Sequence, residues 1–105
     1  MGSPRLLSDA EVAERLAALP SWSHSGGRLR RSYHFRDFSE AFGWMCRVAL
    51  VAEKLCHHPD WSNVYSRVTV ELHTHDAGGV TERDVELARE MDQLFGDHGP
   101  AARPL

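Results

Sequence analysis

Leu29-Arg30-Arg31-Ser32-Tyr33-His34-Phe35-Arg36-Asp37-Phe38-Ser39-Glu40-Ala41-Phe42 decides the fold, because within it the apolar period changes from that of a strand to that of a helix. Leu29, Arg31, Tyr33 and Phe35 alternate with Arg30, Ser32 and His34, the pattern of a strand with two unlike faces. Ser25-Gly26-Gly27 joins it to a shorter strand over residues 22–24, giving a hairpin. Asp37 then caps a helix with Glu40 behind it, and Phe38, Phe42, Met45, Ala49, Ala52 and Leu55 recur at helical spacing. A second apolar edge runs through Ala41, Trp44, Val48 and Val51, so this helix is expected to bury two sides, one of them in a subunit contact. Pro59 drives His58 out of helical geometry, which ends the helix near Cys56 or His57.

The same unit, a strand pair followed by a capped helix, recurs downstream, and a lone capped helix precedes both. Downstream, residues 61–65 and 67–75 read as strands, with Val68, Val70 and Leu72 alternating against Thr69, Glu71 and His73, and with His75 on the polar parity. Gly78-Gly79 ends the second strand. Thr81-Glu82-Arg83-Asp84 opens a helix running to about Phe95, with Val80 and Val85 as its hydrophobic staple. Upstream, Ser8-Asp9-Ala10-Glu11 is a capping box that starts a helix over about residues 9–19, closed by Pro20. The order is α-β-β-α-β-β-α, an α+β fold whose mostly antiparallel sheet has helices on one face. One domain is expected over residues 8–95, between a flexible segment 1–7 and a loose tail 96–105.

Composition narrows the function. A chain of 105 residues, 42% hydrophobic and 26% charged, suits a single soluble domain. A net charge of -3 gives no global attraction to nucleic acid or an anionic membrane and favours a small metabolite-like ligand. The basic cluster Arg28, Arg30, Arg31 reads as a solvated strand edge. No apolar run approaches the roughly 18 residues of a membrane span and no signal core follows the first residues, so a cytoplasmic location is expected. Cys46 and Cys56, set in helix-like periodicity, read as buried or partly buried thiols and not as a disulfide.

The chemistry concentrates in Glu53-Lys54-Leu55-Cys56-His57-His58-Pro59-Asp60-Trp61, answered by Thr74-His75-Asp76. Two adjacent imidazoles are hard to place as packing, since each neutral ring wants a partner at both nitrogens. Glu53 and His57 are spaced to share a face of the last helical turn, so Glu53 is expected to orient the His57 ring as a general base. His58, in extended backbone, points elsewhere and suits a ligand's polar edge. Trp61 offers a flat face for stacking a heterocycle, or equally an anchor for the start of a strand in the core. A metal site is the rival, but adjacent histidines chelate one ion poorly and there is no His-x-x-x-His or paired-cysteine spacing. His24, His34, His73 and His98 lack such a setting and read as surface or strand residues.

These residues carry a resemblance. Glu53-Lys54-x-x-His57-His58-Pro59-x-Trp61-x-Asn63-Val64-Tyr65-x-x-Val68, followed by Thr74-His75-Asp76-x-Gly78-Gly79-Val80-Thr81-x-x-Asp84, closely resembles the pterin-4a-carbinolamine dehydratases, and the likeness takes in Phe35, Asp37, Phe38, Ala41, Phe42 and the capped first helix. The resemblance implies a four-stranded antiparallel sheet with three helices on one face, in the order read above. It implies a homodimer or homotetramer, with sheets joined edge to edge and the second helices bundled between dimers. It also implies dehydration of 4a-hydroxytetrahydropterin to quinonoid dihydropterin, in recycling the cofactor of an aromatic amino-acid hydroxylase. The implied site has His57 and His75 as acid and base, Glu53 supporting His57, and His58, Trp61, Thr74 and Asp76 binding the pterin, with no metal or cofactor. Acids on two sides would let one site process both epimers at the 4a carbon, as relatives do. Two positions depart from the pattern. His73 stands where relatives often carry a small hydroxyl residue beside the pterin, which implies an altered affinity or pH dependence, and Asp60 replaces a commoner Glu. Some relatives keep the fold as assembly factors for the carbon-fixing carboxylase, and animal members also act as dimerisation cofactors of a homeodomain transcription factor. Three histidines in place favour the enzyme over a non-catalytic scaffold.

Overall fold

A computed structural model describes residues 4–96. The order is α1 (Asp9–Leu16), β1 (Ser23–Ser25), β2 (Arg28–His34), α2 (Phe38–Leu55), β3 (Asp60–Val64), β4 (Arg67–Leu72), a 3₁₀ turn (His75–Ala77) and α3 (Glu82–Gly96). The strands form one antiparallel sheet in the order β1-β2-β4-β3. Each hairpin places its longer partner inside the sheet, and α2 carries the chain from β2 past β4 to the opposite edge. Gly26 and Gly27 both have positive φ, 59° and 73°, and form the two-residue hairpin turn that a right-twisted strand pair requires. Residues 97–105 of the expected tail, with His98, lie outside the described residues.

The helix ends follow their caps. The Glu11 amide donates to Ser8 Oγ at 3.1 Å, and the Ser8 amide donates back to Glu11 Oε1 at 2.9 Å. Helix α1 stops at Leu16, short of the expected residue 19, because a following turn in which the Leu19 amide donates to Leu16 O brings Leu19 and Trp22 into the core. Asp37 accepts the Glu40 amide at 2.8 Å and starts α2. Strand β4 ends at Leu72, earlier than expected, because Thr74 pairs with Gly79 as an isolated bridge and closes a short loop carrying the 3₁₀ turn.

The core lies between the sheet and the helices. Leu29, Tyr33, Val68, Val70 and Leu72 from the sheet meet Val12 from α1, Trp44 and Val48 from α2, and Val85, Leu87, Ala88 and Met91 from α3, all fully or nearly fully buried. Trp44 stands at the centre, with Tyr33 at 4.3 Å, Phe35 at 5.3 Å and Trp61 at 6.2 Å between ring centroids. Its Nε1 donates to Met91 O at 3.2 Å, so the indole joins α2 to α3 without an unmet polar atom. Three further donors, Trp22 Nε1 (3.0 Å), Arg31 (2.7 Å) and the Tyr33 hydroxyl, converge on Asp92 Oδ1 and fasten α3 to the β1–β2 hairpin. Burial and the neighbouring Asp92 carboxylate push the Tyr33 hydroxyl far above its ordinary range, so it stays a donor.

The two apolar edges of helix α2 are not equivalent in the structure. The buried residues are Ala41, Trp44, Val48 and Ala52, whereas Phe38, Phe42 and Leu50 are 49%, 51% and 74% exposed. Cys46 shares that outer surface and Cys56 sits beyond the helix end, so both thiols are exposed and free, contrary to the expectation of burial. Both cysteines have apolar neighbours along the chain, but neither is covered by this chain's own core.

Candidate active site

The histidine cluster is built by the way α2 ends. Cys56 takes a left-handed conformation, φ 54° and ψ 37°, a position usually given to glycine. Its amide donates toward Ala52 O and Glu53 O, and the His57 amide donates to Ala52 O at 3.1 Å, a Schellman-type closure of the last carbonyls. The reversal breaks the helical spacing on which a Glu53–His57 pair depends. His57 turns inward and is 8% exposed, while His58 turns outward and places Nε2 at 3.0 Å from Glu53 Oε1. The carboxylate expected to orient His57 therefore pairs with His58 instead.

The partner of His57 is Asp84, on the first turn of α3. Asp84 is fully buried, and its Oδ1 lies 2.6 Å from His57 Nε2. Its Oδ2 accepts the Thr81 amide at 2.9 Å and the Thr74 hydroxyl at 2.9 Å. Thr74 Oγ1 lies 2.7 Å from Thr81 Oγ1, which also accepts the Arg83 amide at 3.2 Å. With Thr74 donating to Asp84, the Thr81 hydroxyl donates to Thr74, and an unbroken chain runs from the Arg83 amide to the carboxylate. Because Asp84 accepts, Nε2 of His57 carries its hydrogen and Nδ1 is the nitrogen left to take up or release a proton.

Thr74 makes this network the support of the third imidazole. Its hydroxyl is held by Asp84 and Thr81, its amide donates to Gly79 O at 2.8 Å, and its carbonyl accepts the Ala77 and Gly78 amides at 3.1 and 3.0 Å. His75 and Asp76 follow directly and are exposed. The back of this loop is tight: a Cβ on Gly79 would lie 2.7 Å from Leu6 Cδ1, and the Leu7 amide donates to Val80 O at 2.9 Å. Of the site residues expected from sequence, His57 and Thr74 are joined through Asp84, with His75 next along the chain, and Glu53 and His58 pair with each other. Trp61 is half-buried, its ring packed toward Trp44, and it also borders a cavity of about 160 Å³ with Asp60, Ser62, Thr69 and Glu71. Among the described residues, no three His, Cys, Asp or Glu side chains are arranged to hold a metal ion.

Residues 5–94 match the family model described as pterin 4 alpha carbinolamine dehydratase. The chain belongs to that family. Within the pterin-4-alpha-carbinolamine dehydratase family, a provisionally named Synechococcus dehydratase is 54% identical over 89 residues, 85% of this chain and 96% of the relative. One from Nitrobacter hamburgensis is 56% identical over 99 residues, 92% of this chain and 97% of the relative. A Brucella melitensis crystal structure described as a transcriptional coactivator/pterin dehydratase superposes with a TM-score of 0.82 at 48% identity, covering 84% of this chain and 96% of that one.

Reading the dehydratase-like motif by position left Asp84 without a role. The missed signal was Thr81-x-x-Asp84 itself: a carboxylate at the third position of a helix bends back to the cap residue's amide and leaves its second oxygen free to accept from elsewhere.

Proposed function

We propose that this protein dehydrates 4a-hydroxytetrahydropterin to quinonoid dihydropterin and water by histidine acid/base catalysis. The observation that carries the proposal is the seating of His57 Nε2 on buried Asp84, the same carboxylate that anchors Thr74 and thereby the His75 turn. Two imidazoles based on one rigid network can address a single small ligand from two sides. The reaction breaks the C4a–O bond and forms the N5–C4a double bond. One group must deliver a proton to the departing hydroxyl and another must take the N5 proton. An imidazole with an ordinary pKa of about 6.5 performs either task at neutral pH.

In this scheme His57 and His75 exchange the two protons, and Asp84 stabilises the imidazolium as His57 becomes charged. His58, held by Glu53, grips the polar edge of the pterin with Asp76, Thr74 supports that edge from beneath through its place in the Asp84 network, and Trp61 supplies an apolar wall. The outer edge of α2 makes the homodimer or homotetramer, and an aromatic amino-acid hydroxylase supplies the substrate. Stopped-flow measurement of carbinolamine dehydration tests the proposal. With the fold verified by circular dichroism, His57→Ala should lower turnover by about 10²- to 10⁴-fold. An unchanged rate removes His57 from the chemistry. A wild-type protein with no turnover that recovers a stoichiometric protein partner would instead make the chain a scaffold, a reading favoured only by the exposed apolar edge of α2.

A further inference from the structure

Two of the three imidazoles of the proposed site have a fixed polar partner. Asp84 holds His57 and Glu53 holds His58. Among the described residues, the structure gives the His75 side chain neither a hydrogen bond nor an ion pair. Its one ring contact is with His73, at 6.5 Å between centroids and 72° between planes. That separation and angle belong to an edge-to-face aromatic pair. His73 follows the last residue of β4 and is half-buried, whereas His75 stands exposed on the 3₁₀ turn beyond Thr74.

We infer that His73 is a positioning residue for His75, fixing its ring in the orientation needed for proton transfer. The inference rests on the dehydratase reading of the site. An exposed imidazole on a turn otherwise samples several rotamers and must be ordered in each catalytic cycle. An edge-on ring removes part of that freedom beforehand, and proton transfer is sensitive to such alignment. Thr74, anchored by the Asp84 network, fixes the backbone of the pair, so His73 has only the side-chain torsions of His75 left to restrict. His73 acts through shape and needs no proton of its own. A phenyl ring should therefore replace it, and a methyl group should not.

Two measurements on the full chain test this. In the unliganded protein, NMR side-chain couplings of His75 should report one dominant rotamer, which persists in His73→Phe and averages in His73→Ala. In dehydration kinetics, His73→Ala should lower kcat about 2- to 10-fold with little change in KM, and His73→Phe should restore kcat with an unaltered pH profile. The inference is overturned by rotamer averaging already in the wild type, by an unchanged His73→Ala enzyme, or by a His73→Phe variant as impaired as the alanine. The last result would make His73 a direct proton or substrate contact. Absence of wild-type turnover would count against the dehydratase reading alone, because the coupling measurement decides the orientation of His75 independently.

Discussion

Asp84 does two jobs with two oxygens: Oδ2 ties the first turn of α3, and Oδ1 sets the tautomer of His57. Asparagine separates these tasks. One orientation of its amide turns an N–H₂ toward the Thr81 amide, and the other turns it toward His57 and forces the ring hydrogen onto Nδ1. Asp84→Asn should lower kcat on the order of 10²-fold or more and cost about 1–3 kcal/mol of stability. Steady-state kinetics and urea denaturation of the same preparation check both effects. At this scale the sequence revealed the cluster but not its pairing. His57, His58, Thr74 and His75 stand out in the sequence because their chemistry is dense and Pro59 marks the turn. The exchange of partners does not, because it depends on a left-handed Cys56, and a non-glycine residue at positive φ has no reliable sequence signature.

Helix boundaries were legible wherever a side chain supplied the cap, and least so where a turn replaced it, as after Leu16. The α1 cap also has a pH dependence of known sign. Hydrogen bonds from Arg5 and then from the Ser8 amide pull the Glu11 carboxyl from its ordinary 4.5 down to about 2. A carboxyl depressed in the folded state contributes stability that is complete above pH 4.5 and is lost as pH falls toward 2. The stability difference between wild type and Glu11→Gln should therefore be constant above pH 5 and shrink to nothing near pH 2, in denaturation curves recorded across that range. For α2 the sequence identified two apolar edges but could not rank them, since a single chain's periodicity does not say which face its own sheet covers. Phe42, Cys46 and Leu50 lie on the outer edge. A paired Phe42→Glu, Leu50→Glu variant should sediment at lower mass than wild type while keeping its circular dichroism spectrum. Equal masses would leave that edge without an oligomeric role.

Across the whole molecule, α3 is the member that every other layer grips. Its first turn holds the site through Asp84, its middle meets α2 through Met91 O, and Asp92 gathers the hairpin through Trp22, Arg31 and Tyr33. The Arg31 guanidinium also lies 4.1 Å from the Tyr33 ring centroid, so removing the carboxylate leaves a cation among aromatic rings. Asp92→Ala should cost about 2–4 kcal/mol, read as a lower urea midpoint with an unchanged slope. Element order, antiparallel pairing and the side of the sheet that faces the helices were all legible from alternation and caps. The contacts that lock α3 were not, because polar groups distant in sequence meet there only after the apolar faces have packed.

The double duty of Asp84 separates ancestry from activity. A descendant that gave up dehydration would be released from keeping His57 and His75, yet it would still need a carboxylate to bind the Thr81 amide and hold Thr74. In this architecture Asp84 therefore belongs to the fold as much as to the site. The imidazoles that rest on this network belong to the proposed chemistry alone.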